Sequence, residues 1–194
     1  QGLGVLPMDM QAFGIDAVVA DSHKWLLGPE GAGLMATTAE LRQAMHPVIS
    51  GWRNVRLQPG DFFLERLTYL DDGRRFEPGA ANDIGVAGLA AGLDIIASVE
   101  REIIHSRVEM LARMLTRILL SHGWEVLSPG SGHPIAGIVA ARPPSVPPRE
   151  AARRLRERRV VCSVRQGLVR FSPHFYITRG ELEALDRIME KVGL

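Results

Sequence analysis

Ala17-Val18-Val19-Ala20-Asp21-Ser22-His23-Lys24-Trp25-Leu26-Leu27-Gly28-Pro29-Glu30-Gly31-Ala32-Gly33 decides how the chain is read, and Lys24 lies at its centre. An apolar β-forming run closes at Ala20, and a Gly/Pro turn opens at Gly28. Lys24 therefore stands on backbone held from both sides. An amine so placed can form a Schiff base with an aldehyde, provided its surroundings keep part of it neutral near pH 7. A bare His-Lys pair more often marks an ordinary lysine beside a loop, so the flanking segments carry the decision.

Those segments are Gln1-Gly-Leu-Gly-Val-Leu-Pro-Met-Asp9 before it and Gly28-Pro-Glu-Gly-Ala-Gly33 after it, with Gln1 standing 23 residues ahead of Lys24. Further on come Arg75-Phe-Glu-Pro-Gly79 with Asn82, and then Leu168-Val-Arg-Phe-Ser-Pro-His-Phe-Tyr176. In this order the motifs resemble the class V aminotransferase family, whose members use pyridoxal 5'-phosphate (PLP). The resemblance implies an α/β protein of PLP fold-type I, here the C-terminal part of the large domain followed by a small α+β C-terminal domain. On that reading residues 1–50 end the large PLP-binding domain, 51–80 form connecting active-site loops, and 81–194 hold linking helices and the small domain.

The same resemblance implies the site. Lys24 is the Schiff-base lysine, and Gln1 matches the residue that hydrogen-bonds the cofactor's phenolic oxygen. His23 matches the histidine that reaches the phosphate. Arg170 matches the arginine that grips the substrate α-carboxylate, for which a planar, permanently charged fork is suited; Arg165 is a second candidate for that anion. Asp21 stands where relatives often place a phosphate-binding serine or threonine, so Ser22 is expected to take that role. Ala80 likewise stands where some relatives offer a threonine to the partner subunit's phosphate. Relatives carry an aspartate three positions before the glutamine, so the chain resembles the C-terminal half of such an enzyme. Alone it is expected to bind PLP weakly and not turn over. A homodimer is implied as well.

Among family branches, a cysteine desulfurase needs a nucleophilic cysteine on a loop before the arginine strand. The sole cysteine, Cys162, falls inside an apolar run, and Val164-Arg-Gln-Gly-Leu168 reads as a tight turn. Transamination, epimerisation or lyase chemistry on an amino acid is the preferred reading. Desulfurase-like sulfur transfer and a truncated, non-catalytic piece are the alternatives.

Bulk properties agree. Lys+Arg 23 against Asp+Glu 22 gives a net charge of +1, which offers nothing to nucleic acid or an anionic membrane. A single cysteine fits a reducing compartment, no metal site is expected, and the default location is the cytoplasm.

Local patterns predict strands at 18–20 (buried), 33–37, 124–127, 135–139, 160–164 and 168–172. Helices are predicted from Thr38 to Met45, after Asn82 to about Ser98, over 100–121 with Ile103, Leu111 and Leu115 inward, over 148–159, and after a Thr178/Glu181 capping box. Gly85, Gly88 and Gly92 share one helix face, which predicts close approach of another backbone, from within the chain or from a second subunit. The arginines of 148–159 are interleaved with Glu150 and Glu157 and predict a solvated face.

Overall fold

The computed structural model describes residues 1–57, 63, 65–128 and 137–194. They divide into a first unit, Gln1 with Met8–Ser98, and a second, Gly2–Pro7 with Val99–Leu194.

In the first unit the two apolar runs around the lysine segment pair with each other. Strands β1 (Ala17–Asp21) and β2 (Gly33–Thr37) are antiparallel, in register from Ala17 opposite Thr37 to Asp21 opposite Gly33. The loop between them leaves one strand and re-enters its neighbour, so both its ends are fixed side by side. The Ser22 N–H continues the ladder, donating to the Ala32 carbonyl at 3.1 Å. The expectation of a buried strand fails here: Val19 is 70% exposed and its register partner Met35 46%. A ribbon of two strands has faces that the described residues leave uncovered. Helix α1 (Ala39–Ala44) follows, capped by the Thr38 hydroxyl and ended at Met45 before His46-Pro47.

Helix α2 (Asp83–Ala97) answers the question raised by the three glycines. A Cβ on Gly92 would lie 2.3 Å from the Leu26 carbonyl oxygen, and one on Gly88 2.8 Å from Pro29 Cδ. One on Gly85 would lie 3.0 Å from Ala32 Cβ. The close approach is therefore to the chain's own lysine loop. Asn82 binds the two together: its side chain accepts from the Gly85 N–H at 3.0 Å as helix cap and donates to the Gly31 carbonyl at 3.1 Å. This packing places α2 in the first unit; residues 81–194 were expected to hold linking helices and the small domain.

The irregular segment after α1 is fastened by Asn54, which is fully buried. Its side chain donates to Ile49 and Arg75 carbonyls at 2.9 and 3.1 Å and accepts from the Gly51 N–H at 3.0 Å. The expected Pro59-Gly60 turn lies outside the described residues.

The second unit opens with α3 (Arg101–Ser121), which buries Ile104, Val108, Leu111, Leu115 and Leu119. Ile103, expected inward, is exposed. Counting back from Leu111 by helical turns lands on Val108 and Ile104, and the i−8 position was one residue off that stripe. Gly123, at φ +75, ends the helix. Then come β3 (Glu125–Ser128), β4 (Val139–Arg142), α4 (Pro148–Glu157), β5 (Ser163–Arg165), β6 (Leu168–Phe171) and α5 (Arg179–Val192). Residues 135–136 of the expected strand lie outside the described residues. The run at 160–164 pairs only from Ser163.

The four strands form an antiparallel sheet in the order β3-β4-β6-β5. Gln166 and Gly167 turn β5 into β6 with both φ positive, +49 and +75, the signature of a type I′ hairpin. Val139, Ala141, Val169 and Phe171 face a core shared with α3, α4 and α5. By the alternation of strand side chains, Ala140 and Arg170 stand on the other face. On α4, Arg153 pairs with Glu150 and Glu157, and Arg154 with Glu150, which gives the expected solvated face. The two guanidiniums, Arg153 first, hold the Glu150 carboxyl down at about 2.

Glycine-to-alanine exchange inside a helix ordinarily stabilises by up to about 1 kcal/mol. For Gly92→Ala the sign should reverse. Overpacking against the Leu26 carbonyl is expected to destabilise by about 1–3 kcal/mol in denaturant unfolding. A raised midpoint would show that α2 does not rest on the loop.

Candidate active site

The lysine loop is a folded object rather than a tether. The Gly28 N–H donates to the Ser22 carbonyl at 2.9 Å, and the Ser22 hydroxyl donates to the Pro29 carbonyl. Trp25 and Leu26 are buried beneath it. Leu27 sits at φ +59, a left-handed conformation unusual for a branched side chain, which the surrounding hydrogen bonds hold in place.

Lys24 projects from this loop with its side chain 34% exposed, and its ammonium is hydrogen-bonded to the Asp21 carboxylate. That hydrogen bond first, and the ammonium's charge second, hold the Asp21 carboxyl below the usual carboxylate range. Asp21 is therefore not the bare negative charge that its place in the motif suggested. The i, i+3 spacing of Asp21 and Lys24 is the sequence signal for this ion pair. His23 is exposed beside Lys24. Ser22 is wholly buried, its hydroxyl turned into the loop. Gln1 shares a shallow cleft of about 410 Å³ with Asp21, Gly33 and Met35. Gln1, Ser22, His23 and Lys24 thus belong to one unit, grouped about the ends of β1 and β2.

In the second unit Arg170 lies mid-strand on β6, opposite Ala140 of β4 and Ser163 of β5. Both neighbours are small. The Arg170 Nε is buried and has no hydrogen-bond partner among the described residues. A buried donor left so is a site ready for an acceptor. Arg165 pairs with Leu168, which puts it on the same sheet face as Arg170, one diagonal away. The segment that follows β6 is held by Arg107, which donates to the Phe175 and Ile177 carbonyls at 3.4 and 2.7 Å. His174 stacks on Tyr176 there, with ring centroids 4.4 Å apart.

Cys162 is 8% exposed. Burial pushes its thiol pKa up, opposed by the charge of Arg156. Among the described residues no cluster of His, Cys, Asp or Glu could hold a metal ion, and no helix is long and apolar enough to cross a membrane.

The model of the family described as "Aminotransferase class-V" matches residues 1–185. The chain belongs to the class V aminotransferase family. An uncharacterized aminotransferase of Bacillus subtilis, YcbU, is 29% identical over 192 residues, covering 98% of this chain and 50% of that protein. A probable cysteine desulfurase of Chlamydia trachomatis is 30% identical over 132 residues, covering 68% of this chain and 32% of that protein. The solved apo structure of a cysteine desulfurase from Thermococcus onnurineus superposes with a TM-score of 0.88 at 23% identity, over 99% of this chain and 50% of that one. The chain thus spans about half the length of the Bacillus and Thermococcus proteins, and its fold is the α/β architecture of fold-type I.

Class V aminotransferases are PLP-dependent enzymes. The donor set of this chain fits that cofactor: a lysine amine on a pinned loop, a neutral amide at Gln1 and an exposed imidazole at His23. The Ser22 hydroxyl, engaged with Pro29, does not add to it as it stands.

A buried, high-pKa thiol reacts slowly because little thiolate forms. Iodoacetamide is expected to alkylate Cys162 at least tenfold more slowly in the native protein than in denaturant. Equal rates would mean that the thiol is accessible.

Proposed function

We propose that the protein acts on an amino acid at Cα with PLP held by Lys24, by transamination, epimerisation or lyase chemistry. The observation that carries this reading is the presentation of Lys24 on a loop locked at both strand ends and braced by α2. Bound PLP withdraws electrons from the bond broken at Cα.

The remaining chemistry belongs to the chain's own residues. Lys24 Nζ anchors the cofactor and, once neutral and released, takes up or returns the Cα proton. Asp21 holds that nitrogen in place while it carries a proton. Gln1 donates its amide N–H to the phenolic oxygen and favours its anionic form. His23 extends to the phosphate. Ser22 would join it only by exchanging the Pro29 carbonyl for a phosphate oxygen. Arg170 takes the substrate carboxylate, and its buried, unpartnered Nε supports that role. Arg165, on the same sheet face, adds positive charge beside it.

Exposed apolar side chains of the first unit, among them Trp52 and Ile84, support assembly as a homodimer. The single cysteine supports a reducing compartment, the cytoplasm, as its place. Sulfur transfer is the second reading, favoured by the desulfurases among the relatives. The raised pKa of Cys162 argues against that thiol as the sulfur acceptor.

An absorbance scan over about 330–430 nm before and after borohydride, followed by peptide mapping, should find the cofactor locked on Lys24. No such adduct would remove the reading. In a protein that carries the full length of the relatives and turns over, Lys24→Ala is expected to lower kcat at least about a thousandfold. Arg170→Gln should raise KM for the amino acid by about ten- to a hundredfold, the loss of a charge-assisted fork.

A further inference from the structure

On the helix side of β6 the second unit contains a cavity of about 410 Å³. Phe171 lines it, and by strand alternation Phe171 faces away from the side that carries Arg170. The other walls are mostly apolar, among them Leu115 of α3, Val161, and Leu185 and Ile188 of α5. Concave, largely apolar cavities of this size are the usual form of a small-molecule site, and a few polar groups then orient the ligand.

Here those groups are Arg158 and Arg159, exposed residues that complete the lining. Neither has an ion-pair partner among the described residues, although Arg153 and Arg154 nearby on α4 are both paired. Glu181, the carboxylate in the lining, is occupied by the capping box, accepting from the Thr178 N–H and hydroxyl at 2.7 and 2.8 Å. Arg159 has φ +64. It follows the helix C-cap residue Arg158, a place where glycine is usual and a Cβ unfavourable. Arg159 there puts a second guanidinium at the rim of the apolar cavity.

We propose that this cavity binds an amphipathic carboxylate of the medium-chain fatty-acid class. The chain lies against Leu115, Phe171, Leu185 and Ile188, and the carboxylate is held by Arg158 and Arg159. Both the apolar lining and the paired charges are needed: the first selects for alkyl length, the second for an anion over an alcohol. The site uses neither Lys24 nor the cofactor, so it stands independently of the activity proposed above.

The test is calorimetric titration of the purified protein with hexanoate, octanoate and decanoate below their micellar concentrations, with decanol as the uncharged control. Saturable 1:1 binding is expected, tightening by about fourfold per methylene. Decanol should bind at least tenfold more weakly than decanoate. In the double variant Arg158→Gln/Arg159→Gly, decanoate binding should fall at least tenfold while decanol binding stays unchanged. Glycine is at ease at φ +64, so this variant is expected to keep its Tm, which guards against a trivial loss of fold. Absence of saturable binding, equal binding of decanol and decanoate, or full decanoate affinity in the double variant would each overturn the proposal.

Discussion

The first unit depends on backbone meeting backbone where α2 crosses the lysine loop. Three helical turns present glycine, and into the space where side chains would stand come the Leu26 carbonyl, Pro29 and Ala32. A helix interior with three glycines gives up conformational stability. The contact returns it as order in the loop, because Leu26, Gly28 and their neighbours lie against a rigid rod. Asn82 completes the joint as both helix cap and partner of Gly31. Everything said of Lys24 as a placed amine follows from this contact and from the two strand ends that hold the loop.

The second unit solves a different problem by simpler means. An antiparallel sheet packs one face on α3, α4 and α5, and β6 runs through its interior with Arg170 on the opposite face. Its cross-strand neighbours, Ala140 and Ser163, are both small. Arg107 then fixes the segment beyond β6 by its carbonyls, so the strand is anchored at both ends. Positioning here comes from register, and register comes from the type I′ turn at Gln166-Gly167.

Local rules were legible where one residue type has one job. The Thr178/Glu181 capping box, the Gln166-Gly167 turn, the Asn82 start and the glycine face of α2 were all readable, since each reflects a constraint of its own backbone. What escaped depended on partners distant in sequence. Val19 is as apolar as any core strand residue, yet it is exposed, since burial is a property of the sheet around it. Asn54 sits in an irregular segment without periodicity, and its role appears only when Ile49, Gly51 and Arg75 converge on it. The first unit runs to Ser98 because α2 packs on the lysine loop, a partner distant in sequence. Of the candidate site, Lys24 and Arg170 are proposed from motif. The Asp21 ion pair and the inward hydroxyl of Ser22 are matters of side-chain geometry.

The ribbon of β1 and β2 has one further implication. Two strands with an open apolar face have little stability of their own in water. Their order is borrowed from the loop between them and from the helix beneath it. Fraying of α2 would therefore release ribbon and loop together as one cooperative opening. The Lys24 amine has no private flexibility: it is either held, or the surrounding unit has come apart.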